Sequence, residues 1–128
     1  MKYCVLLVTA NHEEAQAIGR LLQQAGYKPH VIQELDQVEA IITVTACMAI
    51  LIDIDSVDVS NRTLREMTLQ FPDVCFLCTS KDRFHPELKD AICYHIYACI
   101  NKPIDPDELL YWMKSIQENQ PVDVLDRR

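Results

Sequence analysis

Glycine is nearly absent: the 128 residues include two, Gly19 and Gly26. So few glycines leave no flexible, phosphate-cradling loop of the kind that nucleotide and flavin sites place between a strand and a helix. An excess of positive charge is missing too. Twelve Lys and Arg stand against nineteen Asp and Glu, a net charge of −7. That argues against a grip on nucleic acid, whose affinity rests on cations neutralising phosphates. No apolar run approaches the roughly 20 residues of a membrane helix. The apolar start, Tyr3 to Val8, is too short for a signal peptide, and Asn11-His12-Glu13-Glu14 follows it instead of a small-residue cleavage site. The expectation is a cytoplasmic protein that binds neither membrane nor nucleic acid.

What is present is a core. Apolar residues make up 49% of the chain, enough for one folded domain of ordinary size. Six cysteines invite a metal or disulfide reading. Cys75-Phe76-Leu77-Cys78 has the spacing of a metal knuckle, but it lies in a strand pattern, where residues three apart point to opposite faces. Cys93 and Cys99 flank His95 without a fourth ligand. The cysteines therefore read as small buried hydrophobes in a reducing compartment, with no metal.

Strand and helix patterns alternate along the chain. Residues 3–9 form a first strand. Asn11-x-x-Glu14 resembles a capping box, with acids in the first turn. Ala15, Ile18, Leu22 and Ala25 make that helix's apolar stripe, and Gly26 stops it. Tyr27 to Ile32 is a second strand, and Leu35, Val38, Ile41 and Ile42 mark a second helix. Met48 to Ile52 is apolar at every position, as a strand buried on both faces should be. Ser60 caps a third helix with Leu64, Met67 and Phe71 inward. Val74 to Cys78 is strand four, Pro86 opens a fourth helix to about Tyr94, and Ala98 to Ile100 is strand five. Asp105-Pro106-Asp107-Glu108 then opens a last helix, with Leu109, Trp112, Met113 and Ile116 toward the sheet. Five βα units predict a doubly wound, flavodoxin-like α/β sandwich with a parallel sheet of order 2-1-3-4-5 over residues 1–120. Residues 121–128 read as a tail or the start of a linker.

Three strands each deliver one polar residue at the C-terminal end: Asp53, Thr79 and Lys102. In an open parallel sheet these ends line one crevice, where ligands bind. With Ala49-Ile50-Leu51-Ile52-Asp53, Val74 to Thr79, Asn101-Lys102-Pro103 and Ala25-Gly26-Tyr27 in order, the chain resembles a receiver domain of two-component response regulators over residues 2–118. The resemblance casts Asp53 as the acceptor of a phosphoryl group from a histidine kinase, with Lys102 and Thr79 contacting the phosphate. It also implies a cis peptide at Lys102-Pro103. A carboxylate is chemically adequate as a nucleophile for phosphorus.

The departures are as informative. Receivers carry two adjacent acids after the first strand, which hold Mg²⁺ together with the acceptor. Here those positions are Thr9 and Ala10. Mg²⁺ favours hard, usually anionic oxygens, so weak metal binding is expected, with Asp55 or Glu13 as partial substitutes. The aromatic switch position is Cys99. The leading expectation is a degenerate receiver, a non-enzymatic phosphorelay module acting by protein contact. The alternatives are a working phosphoacceptor with an unusual metal site and a flavodoxin-like domain of a larger enzyme. His12 and His85 read as solvated loop or first-turn residues, not catalytic bases. Expected partners are a histidine kinase or other signalling protein, a fused output domain, and a second copy of the chain. That homodimer would use the face of the fourth helix, fifth strand and fifth helix, where Tyr97, Tyr111, Lys114, Gln117 and Glu118 are placed.

Overall fold

Burial on both faces shapes the centre of the sheet. Cys47–Asp53 forms strand β3, and all seven of its residues are buried. Around it lie β1 (Cys4–Val8), β2 (Lys28–Ile32), β4 (Cys75–Ser80) and β5 (Ala98–Asn101). All pairings are parallel, and the order is β2-β1-β3-β4-β5, as anticipated. The computed structural model describes residues 3–81 and 96–118. The anticipated fourth helix, with His85, Cys93 and His95, and the tail from 121 lie outside them.

Alternation along the strands builds two cores. Leu6, Val8, Ile50, Ile52, Phe76 and Cys78 share one face with Val38, Leu64 and Met67. These last come from helices α2 (Val38–Val44) and α3 (Asn61–Gln70). Val5, Leu7, Leu51, Leu77 and Ile100 share the other face with Ile18, Leu22, Leu109, Met113 and Ile116, from α1 (His12–Gln24) and the C-terminal helix Pro106–Glu118. Cys75 and Cys78 pack on opposite faces, which removes the metal knuckle.

The helix signals act where they were read. Asn11 Oδ1 accepts from Glu14 N, Ser60 Oγ from Thr63 N, and Asp105 Oδ1 from Asp107 N. Gly26 ends α1 with φ +94°, a conformation open to glycine. Three details differ from expectation. Ala25 is the exposed C-cap of α1, one residue beyond the helix and outside its apolar stripe. The second helix begins as a 3₁₀ turn at Leu35–Gln37, closed by Gln37 Oε1 accepting from Glu34 N. Strand β4 runs on through Thr79 and Ser80, which pair with Ile100 and Asn101. No helix among the described residues is long and apolar enough to cross a membrane.

Candidate functional site

The C-terminal rim of the sheet brings Asp53, Thr79 and Lys102 together. Asp53 is the last residue of β3, paired in register with Thr79 on β4, and only 3% and 1% of the two are exposed. Lys102 follows β5 directly, at a cis Lys102-Pro103 peptide. Its Nζ donates to Asp53 Oδ1 at 2.7 Å.

Both oxygens of Asp53 are fully engaged. Oδ1 also accepts from the backbone N–H of Asp55 at 3.1 Å. Oδ2 accepts from Thr9 Oγ1 at 2.9 Å and from Ser56 Oγ at 2.8 Å. The two hydroxyls touch each other, and Ser56 Oγ in turn accepts from Ala10 N at 3.0 Å. Burial opposes ionisation of Asp53. The hydrogen bonds from Lys102, Ser56 and Thr9 and the Lys102 charge outweigh it, and hold the carboxyl below its ordinary value.

Glu14, from the first turn of α1, also enters this pocket. Its Oε2 lies 2.8 Å from Lys102 Nζ, and its Oε1 is buried without a hydrogen-bond partner. The capping box is therefore half-formed. Glu14 does not turn back to the Asn11 amide, which donates instead to Thr9 Oγ1 at 3.1 Å. Burial, aided by the Asp53 charge and opposed by Lys102, pushes the Glu14 carboxyl above its usual range. Asp55 is the third acid around the ammonium, at 3.3 Å. It also accepts from Ser80 Oγ and Lys81 N, at 3.0 and 2.8 Å. Burial works against these bonds, but they and Lys102 keep Asp55 below its ordinary value. Burial alone would lower the pKa of Lys102, yet its bonds to Asp53 and Glu14 raise it, so it stays charged. Three carboxylates thus share one ammonium. Among the described residues no cluster of His, Cys, Asp or Glu is grouped so as to hold a metal ion. Glu13, read as a possible substitute acid, is exposed; the neighbouring Glu14 takes the pocket.

A family model described as the VpsR domain matches residues 2–114. The chain belongs to the VpsR domain family. Solved receiver domains share the fold of this VpsR domain. The signal receiver domain of an HD domain-containing protein from Pseudomonas fluorescens Pf-5 superposes with a TM-score of 0.81 at 20% identity, over 94% of this chain and 90% of that one. NtrX from Brucella abortus gives 0.82 at 21% identity, with all of this chain matching 30% of that one. The beryllofluoride-activated NtrC4 receiver domain dimer gives 0.79 at 20% identity, over 91% and 97%. No curated protein matches the chain in sequence.

The remaining described residues singled out from sequence make no hydrogen bond to Asp53, Asp55 or Lys102 in the VpsR domain. Cys99 is half-buried on β5 opposite Cys78, and burial pushes its thiol pKa up. Tyr97 is 39% exposed, stacks edge-on against Trp112, and its hydroxyl meets Ser115 Oγ at 2.9 Å. Tyr111, 64% exposed, also packs edge-on against Trp112, with ring centroids 5.1 Å apart. Lys114 and Glu118 are exposed beside them. Gln117 is instead half-buried and accepts from Tyr27 Oη at 3.0 Å, which draws it toward α1 and away from the aromatic face. His12 is exposed. Sequence reasoning missed two pocket residues, Glu14 and Ser56. For Ser56 a signal existed: a hydroxyl three residues after a strand-end Asp can fold back onto the carboxylate.

Proposed function

We propose that this VpsR domain is a receiver-type signalling module whose acidic pocket is balanced from within, and which acts by protein contact with little or no Mg²⁺-dependent phosphorylation. The carrying observation is the full engagement of Asp53 by Lys102, Thr9, Ser56 and the Asp55 amide. A phosphoryl group arriving at Asp53 must displace hydroxyls from Oδ2. It would also bring negative charge next to Glu14 and Asp55, with Lys102 the one cation of the cluster. Phosphoryl transfer depends on cations that offset such charge. The residues present do not fit Mg²⁺, because Ala10 offers no ligand, Thr9 offers a neutral hydroxyl already bound, and the oxygens of Asp55 are committed.

Partners follow the same reading. The module receives a histidine kinase or another signalling protein and passes its state to a fused output domain. The match to a fraction of NtrX, whose chain extends well beyond the region matched here, supports a fused arrangement. The Tyr97–Trp112–Tyr111 cluster is the proposed self-association face, supported by its exposure and by the dimeric NtrC4 receiver domain. A working phosphoacceptor is the second reading, favoured by the short Lys102–Asp53 contact. Incubation with acetyl phosphate and Mg²⁺, followed by intact-mass measurement, separates the two. The proposal expects the unmodified mass to dominate. Stoichiometric phosphorylation that is lost in Asp53→Asn would replace it with the second reading.

A further inference from the structure

At the opposite, N-terminal rim of the sheet stands a pair of thiols unrelated to the acidic pocket. Cys4 opens β1 and Cys47 opens β3, paired in register, with their Sγ atoms 3.1 Å apart. The next pairing is Val5 with Ala49, so Met48 is an extra residue on β3. That irregularity matters. Alternation back from Ala49 would turn Cys47 to the face of α1 and the C-terminal helix. The shift puts Cys47 on the other face, where Cys4 also packs.

From this geometry we infer that Cys4 and Cys47 form a reversible disulfide site that responds to a peroxide. Neighbouring strands lie about 4.8 Å apart, inside the Cα separation a disulfide needs. The sulfurs must approach by about 1 Å to bond. The two cysteines differ in access. Cys4 is half-buried and lines an open groove of about 270 Å³ with Lys28, His30 and Thr45, whereas Cys47 is 8% exposed. Burial, followed by its contact with Cys4, pushes the Cys47 thiol up to about 12, so Cys47 keeps its proton.

Cys4 is therefore the thiol that meets the oxidant. Its sulfur attacks one peroxide oxygen; the O–O bond breaks, an S–O bond forms, and the other oxygen leaves as water with the Cys4 proton. Cys47 sulfur then attacks Cys4 sulfur. The S–S bond forms, the S–O bond breaks, and the hydroxyl leaves as a second water with the Cys47 proton. Two thiols are oxidised and one peroxide is reduced. A dithiol reductant reverses the bond by exchange. The product ties the first residues of β1 and β3 together at the end of the sheet remote from Asp53.

Cys78 and Cys99 provide an internal comparison, since they also stand opposite each other, on β4 and β5. Cys78 is at least as buried as Cys47 and its thiol is likewise pushed up to about 12, but among the described residues no sulfur contact joins it to Cys99 as the 3.1 Å approach joins Cys4 to Cys47. The test treats the folded chain with hydrogen peroxide, blocks free thiols with N-ethylmaleimide during denaturation, and maps the peptides by mass. The expected result is a Cys4–Cys47 cross-link as the dominant product, two hydrogen masses lighter than the separate peptides and reopened by dithiothreitol. In Cys47→Ser the same treatment should leave a sulfenic acid on Cys4, trapped by dimedone. Full maleimide labelling of both residues after peroxide would overturn the inference. So would a cross-link in which Cys4 joins any other cysteine or another chain.

Discussion

Strands β1 and β3 lie side by side and end at the same rim, but β3 ends in the carboxylate of Asp53 and β1 in the hydroxyl of Thr9 and the methyl of Ala10. An acid from this part of the chain nevertheless enters the pocket. It arrives one helical turn further along the chain, as Glu14, and it faces the Lys102 ammonium. Moving a carboxylate from a strand end to a helix changes its role. At the strand end it would stand beside Asp53 and repel it unless a cation sat between them. From α1 it reaches the ammonium, and the vacated strand end supplies a neutral donor to Asp53 instead. The β1 end thus serves as hydrogen-bond support for the β3 end.

The largest perturbation of this arrangement is removal of its cation. Lys102→Met leaves Asp53, Glu14 and Asp55 facing one another without compensation. Loss of one partner from a buried pair of this kind costs about 3 kcal/mol, read as a lower urea midpoint at unchanged slope. Part of the loss should return at acid pH, as the carboxyls take up protons. A loss no larger than that of an exposed lysine substitution would mean that Lys102 does not balance the cluster.

Ser56→Ala tests the neutral side of the comparison. It removes one donor to Asp53 Oδ2 and the acceptor of the Ala10 amide, at a cost of about 1.5 kcal/mol, the low end for a bond to a charged group because Ser56 is exposed. The Asp53 pKa should rise in an NMR titration, because one bond favouring its ionised form has gone. Asp53 contributes stability above its unfolded pKa, near about 3.9, and that contribution disappears as pH falls through the lower folded value.

Glu14→Gln is the smallest effect and has the opposite sign. The folded pKa of Glu14 is raised, so its favourable contribution is complete below the unfolded pKa and is lost as pH rises through the folded one. At neutral pH the buried, ionised group is a burden. The glutamine variant should match or exceed wild type there, by up to about 1 kcal/mol. The gap should close toward acid pH, where Glu14 is protonated in both the folded and the unfolded wild type. Chemical denaturation across that range checks the slope; a gap that widens on acidification would contradict the assignment.

The strand order and the meeting of Asp53, Thr79 and Lys102 were legible because uniformly apolar runs and their polar ends mark a parallel sheet and its rim. The acid that joins them from α1 was not. Asn11-x-x-Glu14 reads equally as a local cap and as a reach into the pocket, and only the distance between α1 and Lys102 decides. Ser56 carried a signal, its hydroxyl three residues after Asp53, but the turn back onto the carboxylate depends on the loop conformation, which closes through Ser56 N and Val57 N donating to Asp53 O. The Cys4–Cys47 contact was invisible because strict alternation puts the two thiols out of step. A one-residue shift in pairing leaves no mark in composition or spacing.

The claim that the pocket is balanced without a metal is tested most directly by thermal unfolding of wild type and the Thr9→Asp/Ala10→Asp variant, each with and without millimolar Mg²⁺. Without metal the variant should be less stable by about 1–3 kcal/mol, since added carboxylates crowd Asp53. Mg²⁺ should raise its unfolding temperature by binding the folded state, while leaving wild type almost unmoved. A wild-type chain stabilised by Mg²⁺ as strongly as the variant would contradict the account.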